Sequence, residues 1–253
     1  MVRFAALSLA LTLSLNAQTT IPNTGQPMHV PFECAAADTV AAGLTCSEEE
    51  PCSVYLELAN IEGVGDKLFL VGNLHSSTNT LFSILLESDD SGQNWKEPVE
   101  RMRVSGLDQI QFMDFGSGWI SGANLQGASR DPFLLITNDG GKTWKQQPVF
   151  EESRVASIER FWFESREKGM LLVDATLDNG KHELYATDNG GQSWSMKDSS
   201  QKPIHFPLNT ERGPAVWRLR VDAASHSYLI ERSHAGGWQR VASFLVSAGA
   251  CKE

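Results

Sequence analysis

Two carboxylates at matching places in a repeated pattern, Asp90 and Asp139, are the first residues whose type and spacing suit general acid–base chemistry. They sit in Ser88-Asp89-Asp90-Ser91-Gly92-Gln93-Asn94-Trp95 and Thr137-Asn138-Asp139-Gly140-Gly141-Lys142-Thr143-Trp144. A third copy, Thr187-Asp188-Asn189-Gly190-Gly191-Gln192-Ser193-Trp194, has Asn189 in the acidic place. The same residue types also make a turn. An Asp or Asn oxygen accepts backbone N–H groups a few residues on, and Gly supplies the positive φ that other residues resist. The Trp offers a large apolar face and an indole N–H that needs one acceptor. The turn thus uses the oxygens that catalysis would need. Ser88, Asp90, Gly92, Trp95, Thr137, Asp139, Gly141, Trp144, Thr187, Asn189, Gly191 and Trp194 are read as structural. The third turn lacks charge assistance and is expected to be the weakest.

Other chemistry finds little footing. His75, His182, His205, His226 and His234 fall in loop or turn contexts, and no Gly-x-Ser-x-Gly elbow occurs. No Gly-rich phosphate loop opens a helix. Tyr55, Tyr185 and Tyr228 lie in strand-like runs and read as packing residues. Cys34, Cys46, Cys52 and Cys251 match no zinc spacing, and the histidines are not paired with them. No catalytic residue, metal or cofactor is expected.

The elements that position these turns are strands. Apolar runs Leu81 to Leu86, Phe133 to Ile136 and Leu184 to Ala186 each precede one copy, so run, turn and Trp read as strand, tight hairpin and strand. The tryptophans Trp95, Trp144 and Trp194 stand 49 and 50 residues apart, in the range of propeller blades. A worn fourth copy follows: Val216 to Val221 alternates with period two, and Tyr228 to Glu231 and Trp238 to Val246 complete it. Asp178-Asn179-Gly180 reads as a type I′ turn. The fold expected is all-β, a small β-propeller of four to five blades with repeats of about 50 residues. Tandem sandwich or open solenoid is the structural alternative.

These octapeptides resemble the Asp-box, or BNR, repeat of sialidases, sortilin-type receptors and the photosystem II assembly and stability factor family. Phe112 to Gly122 resembles the strand–turn–Gly-Trp–strand element that precedes the box in the last of these. The resemblance covers roughly Tyr55 to Phe244. It implies a β-propeller whose boxes are structural hairpins at the blade rim. A sialidase would further need an arginine cluster, a Tyr nucleophile with a Glu partner, an acidic acid/base and an early Phe/Tyr-Arg-Ile/Leu-Pro motif. That last motif is absent.

Met1 to Ala17 reads as a secretory signal peptide, with Arg3 in the n-region and Phe4 to Leu15 too short to span a bilayer. Residues 18–52 form a leader with cysteines, loose over Gln18 to His29 and with a short helix within Ala35 to Gly43. Residues 53–253 form the propeller. Four cysteines in an exported chain favour disulfides and allow three pairings; Cys46–Cys52 with Cys34–Cys251 is the hypothesis. The expected location is periplasmic or secreted.

Net charge is −10, which argues against nucleic acid and anionic membrane surfaces as partners. It leaves an exported or membrane-associated protein, or a glycan, with no membrane insertion. The loops that differ most between copies, Leu74 to Thr80, Leu125 to Pro132 and Leu177 to Lys181, fall at one place in the repeat, where binding usually resides. His75, Asn79, Asn124, Gln126, Arg130 and Asp131 form the candidate binding loop. The expected function is an exported, non-catalytic scaffold for protein binding or assembly; the alternative is a lectin-like or sialidase-like glycoside hydrolase propeller.

Overall fold

The computed structural model describes residues 19–126, 130–206 and 216–252; the expected signal peptide lies outside them. Among the described residues the chain folds as an all-β propeller of four antiparallel blades, and a further two-stranded sheet pairs residues 21–22 with 94–95. β1 (Ile21–Pro22) and helix α1 (Ala36–Ala41) come first. Blade I holds β2 (Cys52–Val64), β3 (Lys67–His75) and β4 (Thr80–Ser88), with the short β5 (Asn94–Trp95) outside. Blade II is β6 (Ser105–Phe112), β7 (Gly118–Asn124), β8 (Asp131–Thr137) and β9 (Lys145–Pro148). Blade III is β10 (Ser157–Phe163), β11 (Gly169–Ala175), helix α2 (Thr176–Asn179), β12 (Lys181–Thr187) and β13 (Ser195–Ser200). Blade IV is β14 (Trp217–Asp222), β15 (Ser227–His234) and β16 (Gly237–Leu245), and β17 (Ser247–Cys251) returns to blade I beside β2.

The first strands lie side by side, β14 against β2, β2 against β6 and β6 against β10, and form the inner row. Flat apolar faces meet between blades. Phe69 stacks on Phe112 at 4.7 Å between blades I and II, and Trp119 stacks on Phe163 at 3.9 Å between blades II and III. Trp95 meets Phe244 edge-on at 5.4 Å between blades I and IV. Backbone groups at the seams are satisfied by side-chain amides. Asn73 accepts from Leu107 N at 2.9 Å, and Gln111 both accepts from Phe163 N and donates to its carbonyl.

The turns match their expected geometry. Ser88, Thr137 and Thr187 each donate to the Asp or Asn two residues on, at 2.8, 2.9 and 2.8 Å, and accept from the Gly N–H four residues on. Asp90, Asp139 and Asn189 accept from the backbone N–H of Asn94, Thr143 and Ser193. Trp95 and Trp144 donate to Gly92 and Gly141, whereas the Trp194 indole N–H is buried without a partner among the described residues. The third turn is the one with the missing bond.

Three local expectations change. His75, His182 and His234 stand in β3, β12 and β15 rather than in loops or turns, because each falls at a strand end that the ladder still pairs. Residues 21–30 are not loose: Ile21, Met28 and Val30 are buried, β1 pairs with β5, and Met28 exchanges backbone hydrogen bonds with β16. The segment supplies apolar side chains where blade IV would otherwise have an open edge. Asp178-Asn179-Gly180 is not a two-residue hairpin turn, because Thr176–Asn179 makes one helical turn that Gly180 closes at φ +76°. The disulfides are Cys34–Cys251 and Cys46–Cys52. They span 217 and 6 residues of sequence, so the loop-entropy model assigns the first about 5 kcal/mol and the second about 2. Replacing the Cys34–Cys251 pair by Ser is expected to cost more unfolding free energy than replacing Cys46–Cys52, as measured by urea denaturation of the two variants.

Candidate functional site

The six loop residues fall at one end of blades I and II, but most of their polar groups are already engaged. His75 donates through Nδ1 to the Ser76 carbonyl and lies 5.9 Å from the Tyr55 ring. Asn124 accepts from Ser105 Oγ. Asp131 accepts from Ser153 Oγ and Arg154 N, fixing the entry to blade III. Asn79 donates to the Ala42 carbonyl at 2.6 Å, tying the rim to α1. Gln126 is exposed, and so is Arg130. Among the described residues the Arg130 guanidinium has no hydrogen-bond or ion-pair partner.

The leader completes this rim. Asp38 of α1 is buried and pairs with Arg103 at 2.6 Å, seating the helix between the loops of blades I and II. The result is a recess of about 500 Å³ lined by Val40, Thr78, Asn79, Val104, Leu125 and Arg130, among others. Val40 stands 76% exposed at its edge, a large apolar side chain facing water. In the wall, Val104 has φ +48°, which a β-branched residue resists. Its N–H donates to Leu81 O and its carbonyl accepts from Leu125 N, so both blades hold the strained residue in place. The sequence singled out Asn79 and Arg130; it gave no signal for Val40 or Val104, which lie outside the repeat's loops.

The tyrosine–glutamate–arginine set that a sialidase needs does occur, on blade III. Arg154 donates from Nη1 and Nη2 to the two oxygens of Glu183 at 3.0 and 3.1 Å and also reaches Asp178. Tyr185 Oη donates to Glu183 at 2.7 Å, and Asn179 Nδ2 adds a fourth donor. Arg154 also lies over the Phe150 ring. Burial and the Glu183 carboxylate push the Tyr185 phenol up to about 12, the wrong direction for a nucleophile. Every group of this set is consumed by another, and it works as a latch.

At the inner row, burial and Glu57 raise the Asp108 carboxyl, although Asp108 keeps an exposed edge, and burial and Glu57 also raise Tyr228 on the neighbouring β15. Three titratable groups from β2, β6 and β15 thus face one region. A further set, Glu159, Asp174 and His182, brings metal-ligating atoms within 4.8 Å of one another on blade III. Sequence spacing hid it, since its members come from three strands.

No family model matches the chain. It is 29% identical over 68 residues to an oligoxyloglucan-reducing end-specific xyloglucanase of Emericella nidulans, covering 26% of this chain and 8% of that protein. Among solved structures it is similar to YCF48 bound to D1 peptide (18% identity, TM-score 0.41, 91% of this chain and 59% of that one). It is also similar to YCF48 from Cyanidioschyzon merolae (17%, 0.40, 76% and 57%) and to a polysaccharide lyase of the PL25 ulvan lyase type (11%, 0.44, 81% and 54%). The chain spans less than two thirds of each of these proteins.

Removing Arg154 leaves the Glu183 carboxylate, 2% exposed, without its cation. Arg154→Ala is expected to lower the unfolding free energy by about 3 kcal/mol in urea titration. Burial alone would raise the Glu183 pKa, but Arg154, Tyr185 and Asn179 outweigh it and lower it from 4.5. The stabilisation is therefore full above about pH 4.5 and lost as pH falls below it. In Arg154→Ala that loss on acidification disappears, which melting profiles taken at several pH values would detect.

Proposed function

We propose that the protein is an exported, non-catalytic propeller of Asp-box repeats that binds a segment of another protein in the recess between α1 and the loops of blades I and II. The observation that carries this reading is the recess itself. It joins an exposed apolar side chain, Val40, to a guanidinium without a partner among the described residues, Arg130, across a wall strained at Val104. Val40 would take an apolar side chain and Arg130 a carboxylate or a main-chain carbonyl of the bound segment. Export is supported by the two disulfides, which persist in oxidising compartments. No helix among the described residues is long and apolar enough to cross a membrane.

A second reading, glycan binding or glycoside hydrolysis, is favoured by Glu57 and Asp108 of the inner row with Tyr228 of the neighbouring β15. A carboxyl raised beside a second carboxylate is the pairing that acid–base work on a glycosidic bond uses.

A photo-crosslinking amino acid at Val40 is expected to capture one partner protein in cells that make the chain, and the same probe at Leu177, on the exposed α2, is expected not to. Arg130→Glu should cut the Val40 yield at least tenfold without moving the melting temperature. Equal yields from both probes would reject the recess. Glycan-array binding abolished by Asp108→Asn, with no crosslink at Val40, would establish the second reading instead.

A further inference from the structure

We propose that Glu159, Asp174 and His182 form a binding site for one divalent transition-metal ion of the zinc type on the flank of blade III. The three come from adjacent strands, β10, β11 and β12. Asp174 and His182 are directly paired across the β11–β12 ladder, so their side chains leave the same face. Glu159 reaches that face because the β10–β11 register shifts between Ile158 and Arg160, leaving Glu159 as the extra residue of a bulge. A bulge of this kind re-aims one side chain without disturbing the pairing beyond it.

The ring of His182 is the central member of the set. His182 Nδ1 is buried and has no hydrogen-bond partner among the described residues, although Glu159 Oε1 lies 3.2 Å away. The separation suits a hydrogen bond and the direction does not. Two ligand atoms each about 2.1 Å from one ion stand roughly 3.0–3.4 Å apart, which is the spacing of the His182–Glu159 pair, and the ligand atoms of all three residues lie within 4.8 Å of one another. Asp174 Oδ1 accepts from Thr176 N at 2.8 Å, so the first turn of α2 holds the third carboxylate in place. An ion between the three would satisfy the orphaned nitrogen and neutralise two adjacent carboxylates.

The ligand set selects the class of ion. Calcium and magnesium take oxygen ligands, whereas an imidazole nitrogen beside carboxylates suits zinc and its neighbours. Three protein ligands leave a coordination position for water or for a donor from outside the blade.

The repeat itself does not require these residues. Counted from the turn residues Ser88, Thr137 and Thr187 along the paired strands, Asp174 and His182 correspond to Asn73 and Ser83 in blade I and to Ala123 and Pro132 in blade II. The bulge occurs in all three inner strands, with Ala59 in blade I and Asp108 in blade II. The bulge is a feature of the blade; the ligand triad belongs to blade III alone among these three.

Untagged full-length protein, stripped with chelator and titrated with Zn²⁺ by calorimetry, is expected to bind one equivalent with a Kd of about 10 µM or tighter. Glu159→Gln, which alters an exposed side chain and should fold normally, and His182→Gln should each weaken binding at least tenfold. His234→Gln, at the end of β15 in blade IV, should leave it unchanged. Zn²⁺ should also raise the melting temperature of the parent protein and not that of Glu159→Gln. Binding that is absent, or that is unchanged in both Glu159→Gln and His182→Gln, would overturn the site.

Discussion

Blade spacing depends on the hydroxyl at the head of each turn. Ser88, Thr137 and Thr187 hold their Asp or Asn in place and accept from the N–H of Gly92, Gly141 and Gly191, which stand at φ +92°, +86° and +90°. Those glycines face the preceding blade. A Cβ on Gly92 would come within 2.8 Å of Val241 of blade IV, one on Gly141 within 2.7 Å of Phe69 of blade I, and one on Gly191 within 3.2 Å of Leu134 of blade II. The positive φ and the missing side chain are one requirement, since the turn must lie flat for the blades to approach. Phe69 on Phe112 and Trp119 on Phe163 then close the seams at stacking distance.

A blade stack still has ends, and both chain termini are used there. Residues 21–30 cross from blade I to blade IV, and Asn23 donates to Gly92 O on one blade and Val241 O on the other. β16 runs directly into β17, which leaves blade IV and pairs with β2 of blade I. Cys34–Cys251 joins these two terminal segments covalently. The segments on either side of the propeller repeats are therefore brought together where the first blade meets the last. The same crosslink holds α1 near the rim, so the latch of the fold also shapes the recess.

The turns were legible because each carries its own hydrogen-bonding instructions within eight residues, and strand polarity followed from the apolar runs before them. The two disulfides and the short helix within Ala35 to Gly43 were equally accessible. The packing of residues 21–30 was not, because a polar run with Pro22, Gly25 and Pro27 has no periodicity, and only the neighbouring sheets decide that Ile21, Met28 and Val30 are buried. Asp178-Asn179-Gly180 misled for a related reason: Gly180 takes the positive φ that a type I′ turn would demand, but as the cap of a helical turn. Of the residues lining the recess, Asn79 and Arg130 belong to loops that differ between copies. Val40 contributes through a helix outside the repeat, where comparison between copies has no purchase.

Residue type alone did not separate structural from functional polar groups; remaining bonding capacity did. Arg154, Glu183 and Tyr185 carry the types that sugar chemistry uses, yet each fills the other's sites, and the raised phenol of Tyr185 follows from that closure. Asp139 has its carboxyl held at about 2 by Thr143, through side chain and backbone, and by further donors of its own turn. His182 is the opposite case, a buried ring nitrogen that its own fold leaves without a hydrogen bond. A buried polar atom without a partner costs free energy that packing must offset. Within one repeat family, such an atom at a position where the sister blades carry Ser83 and Pro132 needs an explanation beyond the fold. The same logic applies to Arg130, a charge placed at the edge of a concave surface with its donors unclaimed among the described residues. Function in this chain is therefore sought where the repeat is broken and the bonding is incomplete, rather than in the acidic residues that recur.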